Sequence, residues 1–392
     1  MSRYRLLKKG LRKFGTFEED LIESRMTNTR SCSAILRRCV VQRSAIYTVA
    51  MICTGLFLCS PCPAAAALPN VDEFMKELRL SDGDKQRILD GKIVDWSASE
   101  GSDRELALGM AFLAKTNPMH LSQMYRESVV SKEIPVMTAL GQITGEGTLA
   151  ELAGVKLEPN AEKEARRYLE VEPGDKLNLD AKEMATFQAL KSARKNGGMP
   201  VMEVETLIRQ GLLARYQAYR TKGLAGIAPY ERGHGDRRRA GDELFLFTKE
   251  LTRLAKYLPA FHNFLLNYPN GMPNEEAKNL EEFFYWLNID VFGRPTYVLV
   301  HRILYHAGDA VVAVERQYYA SHDYNSMLQA IAGFPTKEGT FCFYIGRVST
   351  DQVAGMASPA LHPLSRVIAT PYIKDMFERL QAKAKGVLAP KR

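Results

Sequence analysis

Residues 295 to 319, PTYVLVHRILYHAGDAVVAVERQYY, constrain the fold more than any other stretch, because two runs of β-branched and aromatic residues flank a short turn containing Gly308. That pattern specifies an antiparallel hairpin. With Ala307 and Gly308 in the turn, His306 faces Asp309, and the ladder sets Arg302 opposite Ala313, His301 opposite Val314 and Tyr297 opposite Tyr318. Strand alternation then sorts the side chains. Tyr297, His301, Tyr305, Arg316 and Tyr318 share one face, while Arg302, His306, Glu315, Gln317 and Tyr319 share the other. A third strand, Thr340 to Ser349, follows after a loop, and a helix from about Leu364 to Ala384 closes the chain.

Upstream, residues 68 to 158 form the N-terminal part of the same α+β domain. Val71 to Leu80 and Lys85 to Asp90 are expected as helices, Ile93 to Trp96 and Glu105 to Lys115 as extended segments. Asn117 is placed to cap a helix that runs from Met119 to Arg126. Residues 159 to 290 are expected as a mainly helical insertion or cap, amphipathic at Asp180 to Lys195, Met202 to Tyr219, Gly241 to Leu258 and Asn274 to Leu287. A polar loop, Tyr230 to Arg239, interrupts them. Residues 291 to 392 hold the C-terminal sheet and closing helix.

The beginning of the chain has a different character. The apolar core from Ala45 to Cys59 spans 15 residues behind Arg37, Arg38 and Arg43, and it ends in Pro61, Pro63 and the alanine run Ala64 to Ala67. It is short for a membrane span and has the small residues a signal peptidase selects, so residues 1 to 67 are expected as a secretory leader cleaved after Ala67, with Met26 as an alternative start. An uncleaved N-terminal anchor is the alternative. Removing 1 to 67 leaves 42 Lys+Arg against 41 Asp+Glu, so the basic charge of the whole chain belongs to the leader and gives no reason to invoke nucleic acid. Five of the six cysteines, Cys32, Cys39, Cys53, Cys59 and Cys62, also lie there. Cys342 alone remains, in an apolar run where a buried inert thiol is the expectation.

The order of strand, Asn-Pro turn, helix, further strands and long closing helix resembles the helix-grip fold of the START-like superfamily of lipid-transfer proteins and polyketide cyclases. The resemblance is carried by Glu105 to Arg126, ELALGMAFLAKTNPMHLSQMYR, and by residues 295 to 384. It implies an α+β fold with a curved antiparallel sheet, a long C-terminal helix and a large helical insertion. It also implies a cavity between sheet and closing helix for a lipid or other apolar ligand. The superfamily has no invariant catalytic motif, so it transfers no role by position.

Several polar constellations fail on geometry. His301 and His306 point to opposite faces of one strand and cannot share a metal. The consecutive Ser321-His322-Asp323 is expected as a loop or helix start rather than a triad. Residues 233 to 239, GHGDRRR, suit a solvated loop, His262 a packed histidine, and Glu281 and Glu282 an exposed helix turn. Two groups remain as ligand-binding candidates. The first is Tyr297, His301, Tyr305, Arg316 and Tyr318, expected to face a cavity closed by the helix that carries Ile373, Phe377 and Leu380. The second is Arg347 with Thr350, Asp351 and Gln352, expected to guard the mouth of a cavity.

The resulting expectation is an exported, periplasmic or secreted protein that holds a small hydrophobic or amphipathic ligand, with no cofactor and no metal. Two alternatives stay open. One is an enzyme of the cyclase or hydrolase type, with His301 as general base and Arg316 stabilising an oxyanion. The other is an interaction scaffold in the cell envelope that presents helices 202 to 219 and 241 to 258. Peripheral membrane contact and the identity of a protein partner are left open by the sequence.

Overall fold

The computed structural model describes residues 68 to 385 except 130, 132, 133, 135, 195 to 197, 292 and 357. The expected leader and its cleavage site lie outside the described residues. Helix α1, Val71–Glu77, begins in a capping box in which the Asn70 side chain and Glu73 satisfy each other's backbone N–H groups, and α2 is Asp82–Leu89. Strands β1, Val94–Ser97, and β2, Glu105–Ala114, follow as expected. Asn117 caps α3, Pro118–Arg126, by accepting from the His120 backbone N–H at 2.8 Å, with Pro118 in the first turn where its missing N–H costs nothing. Strand β3 is Met137–Ile143.

The helical block contains α4, Ala161–Leu169, α5, Ala181–Ala193, and the long α6, Val201–Lys222. The expected polar loop is instead a two-stranded hairpin of β4, Tyr230–Gly233, and β5, Asp236–Arg238, whose turn uses His234 and Gly235 at φ 51° and 81°. The helix expected over Gly241 to Leu258 is broken into α7, Ala240–Lys249, and α8, Thr252–Tyr257, and α9, Pro259–Asn267, follows directly.

A larger correction concerns Asn274 to Leu287. Only Asn274–Ala277 is helical, as α10, and Leu280–Val291 is strand β6. The run LEEFFYWLNIDV is apolar on both faces: Phe284 and Trp286 join the core under the helices, and Tyr285 and Leu287 join a cluster on the other side. With both faces covered, the period-two signal of a half-buried strand disappears. Strand β9, Ser326–Thr336, occupies the expected loop.

Strands β7, Arg294–Ala307, β8, Ala310–Ala320, and β10, Gly339–Ser349, complete one antiparallel sheet in the order β1-β2-β10-β9-β8-β7-β6-β3, and α11, Ser358–Ala384, closes the chain. The β7–β8 hairpin forms, with its register two residues from the expected one. Ala307 pairs with Ala310, so Gly308 and Asp309 make the turn, His301 faces Arg316 and Arg302 faces Glu315. A shift of two leaves faces unchanged. A bulge between the Leu299 and Val300 pairs then breaks the alternation, and Tyr319, expected opposite to Tyr318, turns toward the helical block with it.

The architecture is therefore α+β, with a large curved antiparallel sheet and a C-terminal helix, compatible with a helix-grip fold. One sheet face packs on the helical block. The other carries α3 and α11, where Phe377 meets the rings of Phe112 and Tyr344 at 4.7 and 4.9 Å.

Candidate functional site

The sheet face beneath α11 is built by parity: Arg302 on β7, Glu315 and Gln317 on β8, Gln329 on β9, and Cys342 and Tyr344 on β10 point the same way. Together with α3 and with Met376, Phe377 and Leu380 of α11 they bound a cavity of about 320 Å3. Its walls are mainly apolar and its floor is a connected polar network. Arg302 is 3% exposed; its Nε donates to Glu315 at 2.7 Å and its Nη1 and Nη2 donate to the hydroxyls of Ser128 and Ser131 at 2.5 and 2.7 Å. The rings of Tyr285 and Tyr125 lie 4.7 and 5.2 Å from its guanidinium carbon. Glu315 also accepts from Gln317 at 3.1 Å and Gln329 at 3.4 Å, and these amide oxygens accept from Tyr324 at 2.5 Å and Tyr344 at 2.9 Å. One polar wall atom is unused: the Tyr125 hydroxyl is buried without a protein partner, and burial holds its pKa well above the usual phenol value. The floor thus offers hydrogen bonds without an uncompensated charge.

The first sequence-derived group lies on the opposite face. Tyr297, His301, Tyr305, Arg316 and Tyr318 are brought together, as alternation required, but they pack under the helical block and not beneath α11. His301 is fully buried; Nε2 lies 2.9 Å from Glu282 and Nδ1 2.9 Å from the Tyr219 hydroxyl, so both ring nitrogens are engaged. Tyr219 stacks on Tyr318 at 4.0 Å, and Phe284 stacks on His301 at 4.4 Å. Arg316 is fully buried, donating through Nη2 to Thr248 at 3.2 Å and to the Leu265 carbonyl. Tyr297 and Tyr305 donate at 2.7 Å to the Lys156 carbonyl and to Glu276. These are the contacts of a packed polar core.

Burial outweighs Glu282 and pushes the His301 pKa from 6.5 down to about 4, with Arg316 and Arg220 adding to the effect. The folded protein therefore holds this imidazole neutral while the unfolded chain takes up a proton near pH 6.5. Stability from this group is complete above pH 6.5, is lost as pH falls, and stops falling below about 4, where both states are protonated; the full loss is on the order of 3 kcal/mol. Urea unfolding at pH 7 and pH 4.5 should show this loss in the native chain and a smaller one in His301→Gln. Equal losses in the two proteins would remove His301 as the cause.

The second group divides. Arg347 is buried and pairs with Glu105, while Asp351 accepts from Arg104, Arg232 and Arg238 at 3.1, 2.9 and 2.6 Å. Burial works against the Asp351 carboxylate, but Arg238 and Arg232 hold its pKa below the usual value. Thr350 and Gln352 cap and border this knot through Asp323. Asp351 and Gln352 line a polar cavity of about 190 Å3, away from Arg347.

His322 contacts Asp323 and lies 3.1 Å from the Pro295 carbonyl, whereas Ser321 accepts from the Tyr297 N–H, so no triad is assembled. Glu281 and Glu282 are not in a helix turn: on β6 they point to opposite faces, where Glu281 binds Arg126 at 2.6 and 2.7 Å and His306 at 2.7 Å, and Glu282 binds His301. Cys342 is buried, and burial pushes its thiol pKa up. No cluster of metal-ligating side chains occurs among the described residues, and no helix among them is long and apolar enough to cross a membrane.

No family model and no curated protein matches the chain. A solved structure of a START superfamily protein from Mycobacterium smegmatis is similar over 31% of this chain and 71% of that one, at 11% identity and a TM-score of 0.21. Agreement at that level leaves the weight of any functional reading on the cavity itself.

Proposed function

We infer that the protein binds a small, uncharged amphiphile in the cavity between the sheet and α11. The observation that carries this reading is the pairing of apolar walls with a floor whose charges, Arg302 and Glu315, satisfy each other while the Tyr125 hydroxyl is left to donate. Volume narrows the class. At about 320 Å3 the cavity lies at the low end of the ~300–1,000 Å3 range of small-molecule sites, which suits one short chain or a fused-ring compound. The site residues of this reading are Tyr125, Arg302, Glu315, Gln317, Gln329 and Tyr344.

The basic leader, short apolar core and alanine run support export as part of the same proposal. Mass spectrometry of the natively purified protein tests both parts. The mature chain should begin at or near Leu68 and carry a neutral ligand extractable by organic solvent. Added 1-decanol should compete for that site, and Leu380→Trp, which fills the cavity from α11, should lower decanol retention at least about tenfold, the loss expected when roughly two or more methylenes are excluded. Retention unchanged in Leu380→Trp would sink the binding site, and an intact leader on the recovered protein would sink export.

A further inference from the structure

The sheet has a second cavity on its other face, of about 330 Å3. Phe74 of α1, Trp96 of β1, Phe334 of β9 and Phe343 of β10 form its aromatic wall, and Leu254 of α8 forms part of the opposite side. Arg347 stands in its lining and is 3% exposed. Nη1 donates to the Ser99 carbonyl at 3.1 Å and to Glu105, whereas Nε has no partner in the protein. Nη2 lies 3.9 Å from the Glu250 carboxylate, beyond hydrogen-bond reach and on a half-exposed side chain. Nε and Nη2 share one edge of the guanidinium plane, the edge that grips a carboxylate through two parallel hydrogen bonds. A buried guanidinium with donors unused is an unfavourable arrangement that an acceptor relieves.

We propose that this cavity binds a single-chain or aryl monocarboxylate, with its carboxylate on the free edge of Arg347 in place of Glu250 and its apolar body along the aromatic wall. Arg253, whose guanidinium carbon lies 5.9 Å from the Phe343 ring centre, adds a second cation beside that wall. The contrast with the cavity beneath α11 is electrostatic. There Arg302 spends its Nε on Glu315 and both Nη atoms on serines, so an anion finds no free donor edge; here the arginine keeps one. Ala330 and Ile331 of β9 line both cavities, so a single strand separates two sites that differ in the ligand charge they accept.

Calorimetric titration of the purified protein with decanoate and 1-decanol tests the proposal. Glu250→Gln should tighten decanoate roughly two- to five-fold, the size of one exposed charge contact, and Arg347→Gln should weaken it at least about tenfold while leaving decanol unchanged. Arg347→Gln also strands Glu105 and is at risk of not folding, so Leu254→Trp supplies an independent arm by filling the cavity from α8. It should abolish decanoate binding, and Leu380→Trp in the other cavity should leave decanoate binding intact. Decanoate binding that survives Leu254→Trp, disappears in Leu380→Trp, or weakens in Glu250→Gln would overturn the assignment.

Discussion

Phe377→Asp should lower the unfolding free energy by about 4 kcal/mol or more, the range of a buried Phe deletion with a desolvated carboxylate added. Phe377 is 4% exposed and sits between the rings of Phe112 and Tyr344, so it fixes α11 to β2 and β10, the second and third strands from one edge of the sheet. The helix has other anchors, including Gln381 donating at 2.8 Å to the Leu113 carbonyl and an ion pair between Lys374 and Asp95. They are half-exposed polar contacts and contribute less than a buried ring. A domain of ordinary stability has about 5–15 kcal/mol to lose, so a loss of this size removes between roughly a quarter and most of it. Phe377→Leu, which keeps an apolar side chain, should cost about 1.5 kcal/mol or less. Urea unfolding of both variants checks the result. A Phe377→Asp loss within 1 kcal/mol of the Phe377→Leu loss would mean that α11 does not depend on this contact.

The hairpin faces were legible because period-two alternation survives any even register shift. The turn was not, because AGDA allows Gly308 at either central position. The structure puts Gly308 first, at φ 64°, with Asp309 second, as a type II′ turn requires. Which layer would cover which face was also hidden. Both faces of β7 and β8 are buried, one by helices α6 to α9 and the other by α3 and the segment that follows it, so the residues His301 and Arg316 could be grouped but not assigned to a covering layer. The sequence put Arg302 and Glu315 on one face but set Arg302 opposite Ala313; only the observed register, two residues away, brings the two charges directly across the ladder, where they leave little free charge and suit a cavity floor. Gln329 completes that floor from β9, a strand with too many small residues, Ala330, Ala332 and Gly333, to announce itself. The bulge that turns Tyr319 inward depends on tertiary packing, with the Arg215 guanidinium carbon 4.3 Å from its ring centre, and has no local sequence mark.

The two buried arginines of the central hairpin should respond in opposite ways to the same substitution. Arg302→Met strands Glu315, whose side chain is 13% exposed, and removes the links to Ser128 and Ser131 that hold the segment after α3 against the cavity. Breaking one side of such a pair costs about 3–5 kcal/mol because a carboxylate stays behind without its counter-charge. Arg316 makes no ion pair among the described residues; its protein partners are a threonine hydroxyl and a backbone carbonyl, with Nε and Nη1 unpartnered. Arg316→Met therefore removes a charge whose desolvation is poorly offset and leaves no opposite charge exposed, so it should be neutral or stabilising by about 1–2 kcal/mol. The double variant Arg302→Met/Glu315→Leu should recover most of what Arg302→Met loses, since both ions leave together. Chemical denaturation of the four proteins at pH 7 distinguishes the cases. If Arg316→Met destabilises as much as Arg302→Met, the Arg316 charge is compensated by the surrounding aromatic rings and Thr248 after all, and the helical-block face regains the claim to a charged function.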